Sequence, residues 1–215
     1  MTKHPILFSL GTCALLLLSP WSNAQNNPYA PTPHSVPASA PTKGSKMDDL
    51  TRFATGGAKV LDSAKGSLTD KGGADVVLIL DPPTSATARP GDAPGREVLL
   101  LVRDASGVLQ KAASNSHVVP CGTCGGVAGD PYGFTKIDAG QFTIVNGGGS
   151  REHWSDEYTF TYAPDKKNWF VTRVVRRVDD SVTGKHKSSE LTAKELGAVT
   201  FSDFDPSTVP EVTLP

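Results

Sequence analysis

The chain has 215 residues, with 21 lysines and arginines against 22 aspartates and glutamates, a formal charge of −1. A protein that tracks a phosphate backbone needs a clear basic excess, so no nucleic acid is expected as a partner. The apolar run from Ile6 to Leu18 is about 13 residues, short of the roughly 20 that span a bilayer, so no transmembrane segment is expected either.

Met1–Ala24 reads as a secretory signal: Lys3 is the basic start, Ile6–Leu18 the apolar stretch, and Ser22-Asn23-Ala24 the small-residue cleavage site. Its removal leaves 191 residues with a charge of −2. Lipidation at Cys13 is disfavoured, because Thr12 precedes it and apolar Ala14–Leu18 would remain behind it. The expected location is the periplasm. Residues 25–46 hold five prolines and no acidic residue. Such a segment lacks the apolar surface to offset its ordering entropy, so it reads as a disordered, proline-rich tether. Residues 47–215 form the folded domain.

Asp48-Asp49-Leu50-Thr51-Arg52-Phe53 predicts one or two helical turns, with aspartate at the start. Strand signals then follow almost without interruption. Asp75–Leu80 is aliphatic and β-branched. Glu97–Arg103 and Val108–Ala113 flank Asp104-Ala105-Ser106-Gly107, a hairpin turn. Phe134–Ile137 and Gln141–Val145 flank Asp138-Ala139-Gly140. Glu152–Tyr162 alternates, with Trp154, Tyr158, Phe160 and Tyr162 on one face. Trp169–Val178 mixes valine, aromatics and arginine, and Thr183-Gly184 returns the chain through Lys187–Leu191. Thr192 and Glu195 form a capping box for a second short helix. Roughly nine strands, with no alternation of strand and helix, predict an all-β domain of antiparallel strands in a propeller-like or sandwich-like meander.

The segment Gly66-Ser67-Leu68-Thr69-Asp70-Lys71-Gly72-Gly73-Ala74-Asp75, running into Val76–Leu80, resembles the GDLNGDGxxDLVLVL element of bacterial exported proteins with FG-GAP/VCBS-like, propeller-type repeats. Further matches follow in order: Cys121-Gly122-Thr123-Cys124, Asp130-Pro131-Tyr132-Gly133, Gly148-Gly149-Ser150, the aromatic strand from Trp154, Trp169, and Phe201-Ser202-Asp203-Phe204-Asp205. Some members of this group resemble periplasmic immunity proteins that neutralise cell-wall-degrading toxins, which implies a cell-wall hydrolase as partner. The chain departs from the group where calcium would bind. Ser67, Thr69, Lys71 and Asp75 occupy the ligand positions, two carboxylates are missing, and Lys71 puts an ammonium there. The loop therefore reads as a metal-free entry turn, and no metal or cofactor is expected.

Cys121-x-x-Cys124 is weighed as a redox pair, half a zinc site or a disulfide. No helix follows to lower a thiol pKa, and zinc would need two more ligands. A disulfide closing a small loop is the expected state in an oxidising compartment. The carboxylates Asp130, Asp138, Glu152, Asp156 and Glu157 leave a glycosidase-type pair open, and no serine stands in a nucleophile context. His117 reads as solvent-facing or as a backbone cap. Arg173, Arg176 and Arg177 fall on both faces of their strand, which gives no basic patch.

Asp130, Tyr132, Arg151, His153 and Trp154 are the candidate binding residues. They sit on or beside glycine-rich turns, and tyrosine, tryptophan and arginine anchor interfaces. The competing expectation puts Trp154 in the core. The sequence supports a non-catalytic, periplasmic protein-binding module, an inhibitor or immunity protein against a peptidoglycan hydrolase. The alternatives are a secreted peptidoglycan-active hydrolase using carboxylates such as Asp130 and Glu152, and a structural envelope module.

Overall fold

The computed structural model describes residues 49–83, 89 and 93–215, all within one compact unit, Pro37–Pro215. The expected signal and tether lie outside the described residues, as does most of the loop between Asp81 and Arg96. No described helix is long and apolar enough to cross a membrane.

Four strands form one antiparallel meander: β1 (Lys59–Gly66), β2 (Asp75–Asp81), β3 (Arg96–Arg103) and β4 (Leu109–Val119). Five more form a second: β5 (Tyr132–Asp138), β6 (Gln141–Gly149), β7 (Glu152–Ala163), β8 (Asn168–Asp180) and β9 (His186–Thr192). The domain is all-β. The two open meanders share one core, which is the sandwich-like of the two expected arrangements. Both expected helices form as short pieces, a 3-10 turn at Leu50–Phe53 capped by Asp49 and α1 (Ala193–Leu196) behind the Thr192–Glu195 capping box.

Sequence pattern explains the different burial of the two sheets. In β2 every residue from Asp75 to Leu80 is buried, the signature of a strand covered on both faces. Val77 and Ile79 meet the five-stranded sheet. Val76, Leu78 and Leu80 point the other way, packing with Leu99, Leu101 and Leu109 beneath Leu50, Phe53, Ala54 and Ala58. By contrast β6 alternates strictly between buried and half-buried, as expected of a sheet with one covered face.

The shared core is aromatic on the five-stranded side. Phe142 stacks on Phe160 at 5.0 Å between ring centroids. Phe201 meets both edge-on, and Phe204 meets Tyr158 and Phe160 the same way. Phe201 and Phe204 come from the C-terminal segment, which first pairs with β8 where β9 has left its edge: the Val171 N–H donates to the Val199 carbonyl and the Phe201 N–H to that of Trp169. Buried Asn115 on β4 donates to the carbonyls of Phe201 and Phe204 at 2.6 and 2.7 Å. Its own oxygen accepts from the His117 and Val118 N–H groups. One side chain thus ties the four-stranded sheet to the tail.

The degenerate loop before β2 is held by Asp75. Its two carboxylate oxygens accept the Leu68 N–H at 3.0 Å and the Arg103 N–H at 3.1 Å, so this carboxylate organises backbone. Two expectations need adjusting. β1 carries little apolar periodicity and is not legible as a strand in advance. Gly147, Gly148 and Gly149 extend β6 where a turn is expected, pairing with Ser155, Trp154 and His153 of β7, and at Gly148 and Gly149 neighbouring backbone lies too close for a side chain.

Candidate functional site

Two features converge at one end of the five-stranded sheet: a set of three interlocked loops and a cavity beneath them. The first loop follows β4. Cys121 and Cys124 are joined as a disulfide, Cys121 being buried. The Gly125 N–H then donates to the Gly129 carbonyl, closing a tight turn through Gly126, Val127 and Ala128. A Cβ on Gly125 would collide with that carbonyl oxygen, and one on Gly148 would lie 2.8 Å from the Gly125 carbonyl oxygen. These glycines let the loop lie flat against the end of β6. Two backbone hydrogen bonds fix it there, Gly147 N–H to the Pro131 carbonyl and Gly149 N–H to that of Gly125.

The second loop, Ser150-Arg151, joins β6 to β7, and the third, Ser181 to Lys185, joins β8 to β9. The Ser181 N–H donates to the Arg151 carbonyl at 3.0 Å, and the Arg151 guanidinium reaches buried Asp180 at 2.7 Å. The Arg151 hydrogen bonds, with the N–H groups of Thr183 and Val182, hold the Asp180 carboxyl far below the usual carboxylate range. Each loop is therefore stitched to the next. At their tips stand Val127 and Val182, 88% and 74% exposed, the two most exposed large hydrophobic side chains among the described residues.

The five candidate binding residues divide into three groups. Asp130 and Tyr132 clamp the two sheets. Arg96, only 2% exposed, donates to both oxygens of Asp130 at 2.5 and 2.7 Å and to Asp81 at 2.8 Å. Burial pushes the Asp130 carboxyl up, but Arg96 and the Tyr132 N–H outweigh it and leave it below its ordinary value. The Tyr132 hydroxyl donates to Asp62 of β1 at 2.7 Å. Arg151 is presented at the surface among the loops. His153 and Trp154 are half-buried at the start of β7, His153 opposite Gly149 and Trp154 opposite Gly148.

Trp154 is neither in the shared core nor free. It lines a cavity of about 210 Å³ with His117, Pro120, Asp156, Arg176 and Glu211, among others. One row of the inner face runs Asn146, Asp156, Arg176 across β6, β7 and β8. The Tyr158 hydroxyl donates to Asp156 at 2.7 Å, and Arg176 Nε stands 3.6 Å from the same oxygen. Burial, with the charge of Glu211 adding, pushes the Asp156 carboxyl above its ordinary value, against the pull of Tyr158 and Arg176. The other guanidinium nitrogens of Arg176 donate to the carbonyls of Pro206, Val209 and Pro210. Two buried polar atoms lack a hydrogen-bond partner among the described residues, Asn146 Oδ1 and Arg176 Nε, both in this row. A polar row desolvated to this degree lowers stability unless something completes it.

Sequence reasoning missed the cavity because its lining comes from β4, β7, β8 and the tail, whose meeting depends on topology. The available signals were polar Asp156 and Arg176 at inward positions of alternating strands. His117 is solvent-facing as expected, 3.9 Å from Asp205. Among the described residues, no three His, Cys, Asp or Glu side chains converge to hold a metal. Comparison with family models, with curated proteins and with solved structures finds no match to this chain.

Proposed function

We propose that this is an exported, non-catalytic protein-binding module that grips its partner with the three-loop end. The carrying observation is that Val127 and Val182 project into solvent from loops fixed by a disulfide, close glycine contacts and backbone hydrogen bonds. Exposed aliphatic groups raise the free energy of a lone protein in water, and rigid display lowers the entropy lost on association. Arg151 beside them adds a residue type common in binding hot spots. The FG-GAP/VCBS-like resemblance and the predicted signal support a periplasmic setting, with a peptidoglycan hydrolase as the partner to be inhibited or neutralised.

The test uses the purified chain as bait in periplasmic extract, beside Val127→Asp, Val182→Asp and, as control, Val108→Asp on the far hairpin. A stoichiometric hydrolase held by the parent and the control, and lost by the two loop variants, is the expected result. Equal capture by all four removes the loop end as the interface.

A second reading is favoured by one observation. Two carboxylates, Asp156 and Glu211, line one cavity, and Asp156 holds its proton more tightly than usual, as a general acid must. Release of soluble fragments from purified peptidoglycan by the chain alone would put this reading first.

A further inference from the structure

We infer that the cavity beneath the loops is a receptor for a primary ammonium group on a flexible alkyl chain, as a lysine side chain carries it. The argument is independent of the three-loop interface and begins with charge. Asp156 and Glu211 both line the cavity, and among the described residues Arg176 is the one permanent cation lining it with them. Its terminal nitrogens already donate to Pro206, Val209 and Pro210, and its Nε points toward Asp156. The lining is left with one negative charge in excess when His117 is neutral.

An anion is poorly served here. It would meet two carboxylates, and the terminal guanidinium nitrogens of Arg176 are already engaged by the Pro206, Val209 and Pro210 carbonyls. A neutral polyol would leave the excess negative charge of the lining uncompensated. An ammonium satisfies both conditions, because it brings three donors and a positive charge. Asp156 Oδ2 faces Tyr158 and Arg176, while no described residue donates to its Oδ1. Trp154 and Tyr158 give the alkyl stem and the cation aromatic walls, against which a desolvated ammonium is further stabilised. The volume, about 210 Å³, is below that of pockets for drug-sized ligands and suits one extended side chain. Burial, with the Glu211 charge adding, raises the proton affinity of Asp156 against the pull of Tyr158 and Arg176, which agrees with negative charge in excess at the lining.

The experiment follows the Trp154 indole N–H in two-dimensional NMR spectra of the purified chain, the resonance being identified by its loss in Trp154→Phe. Three probes are titrated: Nα-acetyl-lysine methylamide, the same compound acetylated at Nε, and n-butylammonium. The lysine derivative should shift the resonance saturably, and its Nε-acetylated form should not. Asp156→Asn should weaken binding about tenfold, the size of one lost charge-assisted hydrogen bond. Glu211→Gln, near the chain end, should weaken it by less. Equal binding of n-butylammonium assigns recognition to the ammonium and stem alone; tighter binding of the lysine derivative assigns it to a lysine side chain in a polypeptide. Binding of the Nε-acetylated probe within about twofold of the parent probe, or binding unchanged in both carboxylate variants, overturns the inference, because the charge term of about tenfold would be absent. So does a resonance that no probe moves.

Discussion

The inner face of the five-stranded sheet is built in two ways along its length. Where Phe142, Ile144, Tyr158, Phe160 and Val174 line it, the four-stranded sheet and the tail cover it with apolar side chains. A few residues away, the row Asn146, Asp156, Arg176 covers the same face with polar groups, two of whose buried atoms lack hydrogen-bond partners among the described residues. The same strands, β6, β7 and β8, carry both kinds of row, so strand identity does not cause the difference. Aromatic burial stabilises the fold, whereas desolvated polar atoms without hydrogen-bond partners cost free energy, and such groups persist where they serve binding or chemistry.

The largest effect should come from breaking the aromatic side of that contrast. Phe160 is fully buried and touches Phe142, Phe201 and Phe204. Phe160→Ala removes a ring at the meeting point of two strands and the tail, which should cost about 3 to 5 kcal/mol. Denaturant unfolding should show a midpoint lowered accordingly with the slope unchanged. A loss under about 1 kcal/mol would mean the tail closes over the gap and the cluster is not the centre of the core.

A smaller effect should come from the disulfide, and it should be local to the polar end. Replacing Cys121 and Cys124 together by alanine frees a four-residue loop, worth about 2 kcal/mol on the chain-entropy account. The loop lies on the end of β6 through the Gly147 and Gly149 N–H groups. Amide exchange should therefore quicken at Gly125, Gly129, Gly147 and Gly149 and stay slow at Phe142 and Phe160. Uniform acceleration along β6 would show that the two ends unfold as one unit and that the contrast has no dynamic counterpart.

These two regions also differ in how far the sequence discloses them. Continuous aliphatic runs and strict alternation are periodic signals carried by single strands, so β2, β3, β6 and β7 are readable in advance, as are the capped helical turns at Asp49 and Thr192. β1 is not, since Lys59 to Gly66 is half-exposed and takes its place mainly by pairing with β2. Tyr132 reads as a partner contact because it is an aromatic in a glycine-rich turn. Its hydroxyl reaches Asp62, seventy residues away, a contact with no local signal. Asp130 likewise reads as a binding or catalytic carboxylate, and its bonds to Arg96, from the start of β3, are not visible in the local sequence. Such pairings depend on which strands become neighbours, and no local pattern encodes that. The loop end is partly legible: glycine spacing marks the close approach at Gly125 and Gly148, whereas exposure of Val127 and Val182 emerges only once the loops are assembled.

The smallest expected change is also the one of opposite sign, at Asp156. Its carboxyl binds a proton more tightly in the folded chain than in the unfolded one, first because it is buried and then because Glu211 is near. Below the unfolded value, near pH 4, both states are protonated and the residue costs nothing. As the pH rises from there to the folded value, the unfolded chain has lost its proton while the folded chain keeps it. Stability therefore falls across that window and stays lower above it. Asp156→Asn removes the ionisation, and the amide oxygen can still accept the Tyr158 hydroxyl. Arg176 keeps its bonds to Pro206, Val209 and Pro210. The variant and the parent should melt together near pH 3, and the variant should melt higher at pH 7. If the variant is also the one that loses lysine-type ligands, stability and binding oppose each other at a single carboxylate. A variant that melts lower than the parent at pH 7 would show instead that the Asp156–Arg176 contact outweighs its desolvation, and that the polar row is a structural clamp.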